Sequence, residues 1–149
     1  MTANTRLSVF AVVVLIANVL AGALAVAFNW PSQFGGVGTD AGQDLLSRGT
    51  AISAPLAPAV GFILIAVLVR FTGWVGWLGV GLTFLTGALV FVGGMGELIA
   101  EPTEQAPRAV LIASGVFWGV IAAVFVVLGI AAARERLAQR NATYATRRQ

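Results

Sequence analysis

A chain of 149 residues that is 58% hydrophobic and only 10% charged, with a mean hydropathy of +0.91, carries more apolar surface than a water-soluble domain of this size buries. It has no cysteine and no histidine. That removes disulfides, thiol redox relays, thiolate zinc sites and iron–sulfur ligation, and also the commonest general base and metal ligand.

The first apolar run, Leu7 to Phe28, has 22 residues behind a single Arg6 and is long enough to span a bilayer. Ala23-Leu24-Ala25 and Ala25-Val26-Ala27 have the pattern of a signal-peptide cleavage site, but the run exceeds the ~7 to 15 residues of a signal core, so a retained span is expected. Asn18 lies eleven residues in, about 16 Å down a helix and close to the midplane. From Asn29 to Thr50 the chain turns polar and glycine-rich. Trp30 stands where an interfacial anchor belongs, and Asp40-Ala-Gly-Gln43 followed by Gly49 predicts a short surface helix.

A second span is expected over about 51–70, with Pro55 and Pro58 in its first turns, where a missing amide costs least. Arg70 to Gly73 is too short for anything but a tight connection, so the second and third spans should form an antiparallel hairpin. The third span covers about 74–96. Between Trp74 and Gly94 no side chain ionises, and those 21 residues make a helix of about 31 Å, the thickness of the hydrocarbon core. A loop with Pro102 and Pro107 leads to a fourth span over about 109–133. The remainder, 134–149, is a basic tail whose first two turns can stay helical.

The expected fold is therefore all-α: one transmembrane domain over 1–133, with four helices in an antiparallel bundle. Arg6, Arg70, Arg134, Arg136, Arg140, Arg147 and Arg148 fall on one side, and only Arg48 and Arg108 on the other. The positive-inside bias then places both termini in the cytoplasm. The net charge of +3 is all arginine in its basic part. Its clustering beside the membrane favours anionic headgroups over nucleic acid as the partner. Abundant Ala, Gly, Val and Arg with no lysine matches GC-rich bacterial coding, so a bacterial cytoplasmic membrane is the expected location.

Three groups of residues are candidates for a site. Glu97, Glu101 and Asn18 are the polar groups that could touch an ion or a partner. Glu97 lies 23 residues beyond Trp74, about 35 Å along the helix, which places it with Glu101 and Glu104 in a solvated acidic rim. Asn18 is expected to bond another helix, and Thr83 and Thr86 to bond their own preceding turn.

Rows of small residues at four-residue spacing mark packing faces: Ala17, Ala21 and Ala25; Gly79, Thr83 and Gly87; Gly115, Gly119 and Ala123. The last of these could serve the bundle or a partner chain. Arg70, Trp74 and Trp77 form an interfacial anchor, and Arg134, Arg136 and Arg140 are expected to meet lipid headgroups.

No nucleophile and base can be paired, so neither an enzyme nor a cofactor is expected. The Asn141-Ala142-Thr143 sequon falls on the cytoplasmic side and is discounted. The chain resembles small bacterial tetraspan proteins in topology alone. With the small multidrug exporters it shares only helix count, since their glutamate lies in the first span, where this chain has Asn18. The expected role is an accessory or structural subunit bound to other membrane subunits or to itself. The alternative is a homo-oligomeric carrier or channel for cations or small molecules.

Overall fold

The computed structural model describes residues 1–28, 49–50, 53–102 and 107–146. Trp30, the Asp40–Gln43 capping pattern with its expected surface helix, Arg48, Glu104, Arg147 and Arg148 lie outside those residues. The described chain forms four helices: α1 (Ala3–Ala27), α2 (Leu56–Leu68), α3 (Gly73–Ile99) and α4 (Arg108–Thr146). Among the described residues there is no strand, only an isolated bridge between Thr50 and Ser53. Three helices, α1, α3 and α4, are long and apolar enough to cross a membrane.

The second helix departs from expectation. At 13 residues α2 is about 20 Å long, short of a hydrocarbon core of roughly 30 Å. Its start is delayed because the backbone ahead of it bonds elsewhere. Thr50 and Ser53 exchange backbone hydrogen bonds of 3.0 and 3.3 Å, and their hydroxyls lie 2.8 Å apart. Gly49 holds φ +73°, and a Cβ there would lie 2.5 Å from the Ser53 carbonyl oxygen, so only glycine fits this turn. Ala54, restricted to extended backbone by the proline that follows, leads into Pro55, which caps α2 in an extended conformation. The two prolines do stand at a helix start.

The other boundaries have local causes. Thr2 caps α1, its hydroxyl accepting from the Thr5 amide at 3.2 Å. The α2–α3 connection closes with Arg70 and Phe71 amides donating to Val67 and Leu68 carbonyls, and α3 opens on Gly73 at φ +67°. The fourth helix does not stop at Ala133. It continues unbroken to Thr146, more than three turns into the expected tail and further than the two turns anticipated.

Each helix packs on its neighbours in the chain, and α1 also packs on α4; the α3–α4 contact is the most extensive. Paired residue numbers run oppositely. Ser8 meets Ala66 and Asn18 meets Ala54; Gly61 meets Thr86 and Gly79 meets Val69; Gly94 meets Gly115 and Gly129 meets Thr83. The interior is built from small residues. Those buried on α3 are chiefly Gly, Thr and Val, whereas Leu85, Leu89 and Val92 face outward. Lipid supplies little hydrophobic drive between helices, so close backbone approach and hydrogen bonds hold the packing. At the centre Phe125 of α4 meets Phe10 of α1 edge-on at 4.9 Å and stacks on Phe62 of α2 at 5.5 Å.

Candidate functional site

Two adjacent residues of α4 organise one end of the molecule. The Ala3 amide, in the first turn of α1, donates to Glu135 Oε2 at 2.6 Å. Arg136 reaches the opposite kind of helix end. Its Nη2 donates to the Val69 carbonyl at 2.6 Å, its Nη1 to the Phe71 carbonyl at 3.1 Å, and its Nε to Asn4 Oδ1 at 3.1 Å. A carboxylate thus caps an N-terminus and a guanidinium caps a C-terminus, each with the sign the helix dipole favours.

Close by, Ser8 Oγ donates to the Ala66 carbonyl at 2.7 Å and accepts from Arg70 Nε at 2.9 Å. Arg136 is only 8% exposed, so it is a bridge between helices and not the headgroup contact expected of it. Arg134 and Arg140 are exposed, as are Trp74 (73%) and Trp77. A recess of about 230 Å³ at this end is lined by Thr72, Gly73, Trp77, Arg136, Gln139 and Arg140. It brings three of the expected headgroup residues to the start of α3, where helix amides and guanidinium charge both favour an anion.

Asn18 is used up by the backbone. The Ala54 amide donates to its Oδ1 at 2.6 Å, and its Nδ2 donates to the Ala54 carbonyl at 3.3 Å. Non-helical backbone inside a membrane protein needs such internal partners, and Asn18 supplies both for the residue ahead of α2. It is not brought together with Glu97 or Glu101.

Glu97 is not in a solvated rim. Its side chain is 1% exposed, while Glu101, one turn further, is exposed. Glu97 lies about one turn beyond a close crossing, where a Cβ on Gly115 would lie 2.7 Å from the Gly94 carbonyl oxygen. Counting along the helix axis does not reveal what neighbouring elements cover. Among the described residues no cluster of acidic side chains could hold a metal ion.

The small-residue rows divide. Gly79 meets Val69 of α2 and Gly87 meets Phe125 of α4; Thr83 is buried and bonds the Gly79 carbonyl at 2.9 Å, as expected. In the third row Gly115 is buried and Gly119 half-buried. A Cβ on Gly119 would meet nothing within 4 Å, and Ala123 is exposed. In the first row Ala25 is buried and Ala17 and Ala21 are half-buried.

Sequence reasoning missed Glu135, Ser8, Gly94, Ser114 and Trp118. The last two are buried, at 7% and 2% exposure, yet Ser114 Oγ and Trp118 Nε1 have no hydrogen-bond partner among the described residues. Each such orphan costs about 1–3 kcal/mol. Both line a cleft of about 440 Å³ between α1 and α4, and Trp118 also borders an apolar cavity of about 230 Å³ at the start of α2. A serine and a tryptophan in one apolar span could have been flagged as needing partners, but no spacing rule says whether they find them. Comparison of the chain with known protein families, curated proteins and solved structures finds no match.

Proposed function

We propose that this protein is an accessory or structural subunit of a membrane complex: a four-helix antiparallel bundle in a bacterial cytoplasmic membrane, both termini inside. The observation that carries the reading is how four of the buried polar side chains are spent. Asn18, Ser8, Thr83 and Arg136 bond the backbone of neighbouring or preceding turns, and the acidic groups form no cluster among the described residues. Such an interior supports holding a shape over moving a substrate. The excess of arginine at the Arg136 end supports the orientation. Half-buried Gly119, with open space at its Cβ, and exposed Ala123 leave room on α4 for another helix to approach closely.

Mild detergent extraction from native membranes tests this directly. Other polypeptides in fixed proportion to this chain are expected; a particle of this chain alone overturns the subunit reading. The burial of Glu97 favours a second reading, a homo-oligomeric cation or small-molecule carrier, because a carboxylate enclosed at a membrane edge commonly serves a transport path. Glu97→Gln separates the two. It should leave partner association intact if the chain is a subunit and abolish uptake in proteoliposomes if it is a carrier.

A further inference from the structure

We propose that the cleft between α1 and α4 binds one membrane phospholipid. Its acyl chain lies against Ala17, Ala21 and Phe117, and its ester carbonyl is held at Ser114 Oγ and Trp118 Nε1. The cleft, about 440 Å³, is lined by these residues and is otherwise apolar. Ser114 and Trp118, whose buried Oγ and Nε1 have no partner among the described residues, both line it, and the indole N–H can only donate. An acceptor must therefore come from outside the described chain.

Depth identifies the acceptor. Asn4 and Arg136 are hydrogen-bonded and define one level of the molecule. Measured from there along each helix, Ala17 and Ala21 lie about 20 and 26 Å away, Trp118 about 27 Å and Ser114 about 33 Å. Across a hydrocarbon core of roughly 30 Å, the polar pair thus sits at the far boundary, with the apolar wall running inward beneath it. A glycerol ester has that arrangement, a carbonyl at the boundary with a hydrocarbon chain below.

Arg108, exposed on the first turn of α4, lies about 9 Å beyond Ser114, at the depth of the phosphate. A transmembrane helix from a partner fits less well, because its own carbonyls are already bonded within the helix and its apolar side chains would leave both groups orphaned. The proposal rests on membrane insertion and not on the subunit reading.

The test uses the purified full-length chain with Trp30, Trp74 and Trp77 changed to Phe, delipidated in detergent micelles. It is titrated with phosphatidylglycerol brominated near the carbonyl of one chain, while Trp118 fluorescence is followed. Saturable quenching at one lipid per chain is expected. Ala21→Leu fills the cleft and should move the midpoint at least about tenfold, and Ser114→Ala about three- to tenfold. Ala17→Leu replaces Ala21→Leu if circular dichroism shows the latter unfolded. Quenching that rises in proportion to lipid without saturating, or that is the same in the cleft-filling variant, overturns the proposal. No partner polypeptide is present in the titration, so failure of the subunit reading would not change its result.

Discussion

The two ends of the molecule solve the same problem differently. At the Arg136 end, polar side chains are spent on helix termini: Glu135 on the start of α1, Arg136 on the end of α2, and Ser8 on a carbonyl of α2. At the Glu97 end the helices meet through glycine, with Gly94 against Gly115, and the buried Ser114 Oγ and Trp118 Nε1 have no partner among the described residues. The first end is closed by directional bonds and the second by backbone proximity. Cavities at the second end lie where the glycine contact stops, on either side of Trp118. The difference teaches that in an apolar chain a few polar residues decide which helix ends are locked, while small residues decide only how near two helices can come.

The largest effect should come from breaking the locked end. Arg136→Met removes three hydrogen bonds and strips the carbonyls of Val69 and Phe71 of their donor, costing roughly 2–6 kcal/mol in unfolding titrations with a denaturing detergent. Arg136→Lys should recover little of it, because one ammonium cannot reach three acceptors in a fork.

At the other end, Gly115→Leu should destabilise by at least about 1–3 kcal/mol, since its Cβ alone would press on the Gly94 carbonyl. Gly119→Leu, with open space at its Cβ, should be neutral in the isolated chain within about 0.5 kcal/mol. A partner chain that depends on this face would be lost from Gly119→Leu and kept by the unmodified protein, which sharpens the subunit reading. The sequence alone treats those two glycines as equivalent.

Between the two ends, Asn18→Leu should cost about 1–2 kcal/mol, because the Ala54 amide and carbonyl lose their partner. Native-state hydrogen exchange should show the effect as faster opening ahead of α2.

The smallest effect sharpens the comparison most. Ser8→Ala should destabilise by about 1 kcal/mol, whereas Ser114→Ala in delipidated micelles should be neutral or slightly stabilising, since it removes a buried hydroxyl with no partner among the described residues. Equal losses from both serines would mean that the two ends are held alike.

Composition and hydrophobic run length by themselves determined that the chain is helical and contains helices that can cross a membrane, because every backbone polar group in hydrocarbon must be bonded within its own segment. The tight α2–α3 turn was also legible from the few residues between the two apolar runs, and Pro55 and Pro58 marked a helix start, since proline acts through its own backbone. That Gly79, Thr83 and Gly87 share one face could be read from spacing alone, because periodicity is a property of a single helix.

What only the tertiary structure decided is where a side chain ends up relative to another helix. The second apolar run reads as a full span, yet Ala54, bonded to Asn18, and Ser53, bonded to Thr50, stand outside the helix. Arg136 reads as a headgroup contact and is a buried bridge; Glu97 reads as a rim residue and is enclosed. Asn18 and Arg136 act on backbone 36 and 67 residues away, and nothing in local propensity, charge or period encodes which helix faces will meet.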